Sequence, residues 1–350
     1  PTPTPTPAAQ FYIHPTLGND TTNLGTSPAQ PFKTVEKALT STAVQTAASL
    51  GGGTNVIVTI LDDGTGTPTA NVTSLALASG SVTVVPDSGV NFTLNLNNKT
   101  LTLNKGYTLQ GIQITSGDPA TNTTAAAAIT LNAAGTPLKN ININCTGITP
   151  SGGSSVGGGD KCVHVPGSAG GTVILDNVDI SIPSNQNFVT GILHEGIGTL
   201  KVINGSSVVA AGSGNAKGVV GIYGKTTSGS VEVSGSTASL SAITATGGNV
   251  FSILLSGPIA SGKVEGGSSI QVREGNSSSE IAIGVCVNAT GTVTVQGNTF
   301  TNSPSGSNSI AIYKQSGTVL PTPMPTGNTF TGFSTSSPEK RYVDSGSSCP

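Results

Sequence analysis

The sequence predicts an all-β chain wound as a right-handed parallel β-helix, a solenoid of about 30 residues per coil behind an N-terminal capping helix. Three registers of one period carry this. Asn204-Gly205-Ser206, Ser234-Gly235-Ser236, Gly266-Gly267-Ser268, Gln296-Gly297-Asn298 and Thr326-Gly327-Asn328 have central glycines spaced 30, 32, 30 and 30 residues. Gly171-Thr172-Val173, Gly198-Thr199-Leu200, Gly229-Ser230-Val231, Gly262-Lys263-Val264 and Gly291-Thr292-Val293 follow at 27, 31, 33 and 29. The apolar runs at Gly191-Ile192-Leu193, Gly221-Ile222-Tyr223, Ser252-Ile253-Leu254, Gly284-Val285-Cys286 and Ala311-Ile312-Tyr313 repeat with the same period. A unit this short cannot bury its own apolar face, whereas stacked units bury a continuous one.

In chain order, residues 1–10 read as a Pro/Thr-rich linker. Alternating prolines favour an extended, semi-rigid polyproline II form, here a tether to an export signal or anchor upstream of Pro1. Residues 11–53 hold a strand, a loop and the capping helix. Phe32, Val35, Leu39, Ala43, Ala47 and Leu50 follow helical spacing, so one helix is expected over 31–50. Pro31 suits its first turn, and Gly51-Gly52-Gly53 stops it. An open first coil needs such a cap. Residues 54–335 are short Val/Ile/Leu/Thr alternations broken by Gly, Ser and Asn, a strand signal. Residues 336–350 form a tail outside the repeat.

Composition narrows the functions. Apolar residues are 35% and aromatics 4%, so the core is built from small and β-branched side chains. A net charge of −2 excludes a basic nucleic-acid footprint. Apolar runs are too short to span a bilayer as helices.

Phe11-Tyr12-Ile13-His14-Pro15, then Gly18-Asn19-Asp20, Gly25-Thr26 and Pro31-Phe32-Lys33-Thr34-Val35-Glu36-Lys37-Ala38-Leu39, resemble a known family opening. It is similar to the N-terminal signature of an uncharacterised family of exported right-handed parallel β-helix proteins, related in fold to pectate lyases. The resemblance covers about 30 residues and implies fold and export from a bacterial cell. It carries no catalytic residue across.

Cys145, Cys162, Cys286 and Cys349 lack metal-site spacing. An even count in an exported chain reads as two disulfides, with three connectivities open. Cys145 and Cys162 bracket a Gly/Ser loop, and Cys349 lies in the tail, so the expected pairs are Cys145–Cys162 and Cys286–Cys349.

Two surface groupings are candidate ligand sites. His164 and His194 stand one period apart, Glu195 follows, and Tyr223 and Lys225 come one coil later. This patch suits a polysaccharide groove or an acid/base site. It equally suits a solvated face with one cross-coil ion pair, and by strand alignment His164 matches Leu193 better than His194. Glu232 and Glu265 are expected to share a column, with Lys201 preceding them. Coils about 4.8 Å apart would give the carboxyl spacing of a retaining glycosidase or a weak calcium site. Neither residue has the Asp cluster, Arg or aromatic platform that sugar chemistry uses, so a charge ladder is the plainer expectation.

The reading that fits best is a non-enzymatic secreted or cell-surface solenoid: an envelope scaffold, adhesin or glycan-binding rod. Its partners would be cell-envelope proteins or surface polysaccharide. No cofactor is required, and calcium is the one ion the pattern admits. The alternative, a polysaccharide lyase or glycoside hydrolase, rests on analogy of fold. An ice-binding Thr-x-Thr ladder is set aside, because Thr100-Leu101-Thr102 gives way to Thr130-Leu131-Asn132 one period later.

Overall fold

The computed structural model describes residues 8–50, 53–117, 127–146, 160–184, 188–212, 218–235, 240–246, 249–272, 282–302, 309–315, 327–333 and 342–345. The chain is a parallel β-solenoid with roughly 30 residues per coil. Its strands stack as three faces.

The first face starts with Ala9–Ile13, paired in parallel with Asn55–Ile60. It continues through Ser81–Pro86 and Tyr107–Gln110 to Thr199–Ile203, Ser230–Ser234, Ser261–Glu265 and Thr292–Val295. The second face carries, among others, Phe92–Asn97, Gln113–Ser116, Ser207–Gly212, Ser268–Val272, Thr299–Asn302 and Thr329–Thr331. Two long strands, Gly135–Cys145 and Thr172–Ser184, belong to both faces and join them into one sheet. The third face is a separate sheet, ten-stranded among the described residues, running from Val72–Thr73 to Tyr342–Ser345.

The core is a set of inward columns. On the first face Leu175, Val202, Val233, Val264 and Val295 lie one above the other, each essentially inaccessible to solvent. Burying each such side chain contributes about 1.5–3 kcal/mol. The branched residues suit the pleated surface.

Two of the sequence registers are corners. Between the first and second faces the backbone turns through left-handed residues: Asn140 (φ 51°), Asn177 (φ 55°) and Asn204 (φ 57°). Asparagine tolerates this region better than other residues with a Cβ. Just past the corner, Ser206, Ser268 and Asn298 point inward and are buried. Their polar atoms are satisfied by backbone. Val178 N–H donates to Ser206 Oγ at 3.0 Å, Ser268 N–H to Asn298 Oδ1 at 3.2 Å, and Asn298 Nδ2 donates to the Val264 carbonyl at 2.7 Å. The entry corner of the first face is tight for another reason. A Cβ on Gly198 would overlap the Gly171 carbonyl oxygen of the preceding coil.

The cap differs from the expected single helix. Val35–Thr40 and Thr42–Ser49 are two helices, separated at Ser41 (φ −78°, ψ 122°). Thr40, Ser41 and Thr42 are poor helix-interior residues, and the Leu39 carbonyl there accepts from Leu75 N–H of the adjoining coil. The break rotates the second helix, so it buries Val44 and Ala48 while Ala43 and Leu50 are exposed.

The Gly-Asn-Asp segment does structural work in this cap. Asp20 Oδ1 accepts from the backbone N–H of Lys33 and Thr34, and its Oδ2 accepts from Thr34 Oγ1 at 2.7 Å. Thr34 is the N-cap of the first helix and accepts from Lys37 N–H. Asn19 Oδ1 accepts from Thr21 and Thr22 N–H. Phe32 bridges to Ile13, and its ring stacks on Phe11. The open edge of the first strand is thereby occupied: Tyr12 N–H donates to the Gly25 carbonyl and Phe32 N–H to that of Tyr12.

Candidate functional site

The third-face strands Asp160–Val165, Phe188–His194 and Gly218–Lys225 pair in parallel, with His164 opposite Leu193 and Tyr223 in turn. His194 falls in the neighbouring column, between Val165 and Gly224, which continues to Leu255. That column faces inward. His194 is 1% exposed and contributes nothing to the surface patch expected of it. Its Nε2 lies 3.2 Å from the Gly198 carbonyl, while its Nδ1 has no hydrogen-bond partner among the described residues. Burial pushes its pKa down to about 4, against weaker opposing bonds to the backbone of Gly198 and Ser230.

His164 takes its place beside Glu195. Their Nε2 and Oε2 are 3.0 Å apart, and Lys225 Nζ lies 3.6 Å from the other Glu195 oxygen. Burial lowers the His164 pKa, outweighing the upward pull of Glu195. The imidazole is therefore neutral at pH 7, and the contact is an Nε2–H donated to the carboxylate. Tyr223 is 8% exposed and no stacking platform. Burial raises its hydroxyl pKa, with a hydrogen bond to Ser256 opposing. It sits in an outward apolar cluster with Leu193, Leu254, Cys286 and Tyr313. The sequence thus brings Glu195 and Lys225 together as expected and turns His194 into the core, while Tyr223 lies in the His164 column near Glu195 but is buried.

The second grouping separates. The register pairs Lys201 with Glu232, Glu232 with Lys263, and Ser234 with Glu265. Glu232 and Glu265 are not column neighbours, so neither the glycosidase spacing nor the calcium pair forms between them. Glu232 instead meets Lys201 at 2.6 Å, and Glu265 lies 3.8 Å from Lys263 in its own strand. The error traces to Gly262. It reads as the corner glycine matching Gly229 and Gly291, but it stands between Val231 and Val293 inside the strand. The corner position of that coil is Ala260, whose N–H donates to the Gly229 carbonyl. Among the described residues no group of three His, Cys, Asp or Glu converges as a metal site would require.

Cys145 and Cys162 form a disulfide within the core, joining the second face to the third. Cys286 is also disulfide-bonded. Cys349, its expected partner, lies outside the described residues. No protein family, characterised protein or solved structure matches the chain.

Proposed function

We propose that the chain is a non-enzymatic, exported β-solenoid that works at the cell surface as an envelope scaffold, adhesin or glycan-binding rod. The observation that carries this is the pairing of three surface carboxylates across coils. Glu195 is held by His164 and Lys225, Glu232 by Lys201, and Asp176 by Lys139 at 3.3 Å. Paired this way across coils, they brace the rod and are not poised as an acid and a base about a scissile bond. The core disulfide and the Pro/Thr tether support export to an oxidising compartment. Envelope proteins or surface polysaccharide are the partners of such a rod.

The test is a screen of the purified domain, with calcium, against acidic and neutral polysaccharides. Binding or assembly without turnover supports the proposal. Turnover that disappears in Glu195→Gln or Glu232→Gln overturns it in favour of a β-helix lyase or hydrolase.

A further inference from the structure

We propose that His194 is an acid-sensitive fastener that holds the Glu195–Gly198 turn to the core when neutral and releases it when protonated. This does not depend on the role proposed above. His194 is a polar residue among apolar column neighbours, with Val165 before it and Gly224 and Leu255 after it. Gly196, in the turn itself, has no side chain, and a Cβ there would come within 2.9 Å of the imidazole, so the glycine leaves room for the ring. In the neutral ring, Nε2–H donates to the Gly198 carbonyl at 3.2 Å. That bond ties the third-face strand to the turn opening the first face. The same turn is pinned by Glu195 N–H on the Val165 carbonyl and Gly198 N–H on that of Ala169. Nδ1 is then a lone-pair acceptor, buried and without a hydrogen-bond partner among the described residues.

Protonation places a second N–H and a full charge on a ring that is 1% exposed, with no hydrogen-bond partner for Nδ1 among the described residues, and the backbone of Gly198 and Ser230 offsets only part of the cost of burial. A buried charge without a partner is strongly disfavoured. The titratable groups acting on His194 are His164, which opposes its protonation, and Glu195, which favours it more weakly. Relief requires the ring to leave the core. The Glu195–Gly198 turn moves with it, and so does the Glu195 carboxylate that bridges His164 and Lys225.

The folded pKa is depressed, to about 4 against an ordinary 6.5. The unfolded chain therefore binds more protons across that window. The stabilisation is complete above pH 6.5 and is lost as pH falls towards 4. From this group alone, the unfolded-to-folded ratio rises on the order of a hundredfold between pH 7 and pH 4.

The experiment is denaturant unfolding from pH 7 to pH 4 for the wild type, His194→Leu and, as the neighbouring-histidine control, His164→Gln. His194→Leu should flatten the pH dependence by about that hundredfold, whatever its stability at pH 7, and His164→Gln should keep most of it. Superimposable pH profiles for the wild type and His194→Leu would overturn the proposal. Should His194→Leu fail to fold, histidine NMR titration of the wild type decides. The chain has three histidines, assigned with His14→Gln and His164→Gln, and the His194 resonance should titrate far below 6.5. A midpoint near 6.5 would refute it. Amide exchange corrected for intrinsic rates should show Glu195 and Gly198 losing protection at acid pH before the flanking strands. Simultaneous loss across the coil would refute the local release.

Discussion

Glu232 stands between Lys201 and Lys263 on three successive coils, with its carboxylate 2.6 Å from Lys201 Nζ. Alternation of sign along a column is what parallel stacking needs, because side chains in register sit about 4.8 Å apart and like charges there repel. Glu232→Gln should cost no more than about 1 kcal/mol, as partly exposed pairs do. Glu232→Lys, which puts three cations in one column, should cost more. Its extra loss should shrink between 0.05 and 1 M NaCl in urea unfolding. A salt-independent loss would show that packing, not charge, governs the column.

The corner residue Asn298 satisfies two backbone groups on the coil before it. Asn298→Ala leaves the Ser268 N–H buried without its side-chain acceptor, while the Val264 carbonyl keeps its bond from Gln296 N–H. It should destabilise by about 1–3 kcal/mol. Asn298→Ser, the residue that Ser206 and Ser268 supply at this corner, should retain more of the stability. Equilibrium unfolding of the two variants gives the comparison.

Gly198→Ala forces a Cβ into the Gly171 carbonyl. A loss of about 2–3 kcal/mol is expected from the clash and the shift it demands. Gly297→Ala is the contrast. Its φ is +68° with open space around the site, so only the left-handed penalty of about 1–2 kcal/mol applies. Thermal unfolding should rank Gly198→Ala well below Gly297→Ala.

The Cys145–Cys162 bond closes a sequence separation of 17 residues between two fully buried sulfurs. Replacing both with alanine should cost about 3 kcal/mol from loop closure. In the native state the bond should resist mild reductant until the coil opens. Non-reducing peptide mapping should find this pair, and should find Cys286 joined to Cys349.

The period, the strands and the stacking were legible because alternation and corner residues are local signals. What failed was register. Gly229 to Gly262 to Gly291 gave uneven steps of 33 and 29, whereas Gly229 to Ala260 to Gly291 gives 31 and 31. A glycine inside a strand imitates a corner glycine, and the two-residue slip kept the in–out alternation while moving Glu265 out of the Glu232 column. His194 was misread for a related reason. Alternation in Phe188–His194 is interrupted, since Ile192 and His194 face the core while Thr190 and Leu193 face outward. Only three-dimensional pairing exposes such an interruption. The helix break at Ser41 needed knowledge of Leu75, which is 34 residues further on.

The occupied edge at the N-terminal end has a consequence for how such a rod changes length. With Gly25 and Phe32 bonded to the first strand, another chain cannot add there by strand pairing. Coils in the middle meet only their neighbours. Duplicating one of them, for example residues 198–228, leaves the capped end untouched and extends the rod by about 4.8 Å. Reach can thus be altered in fixed increments without rebuilding the cap.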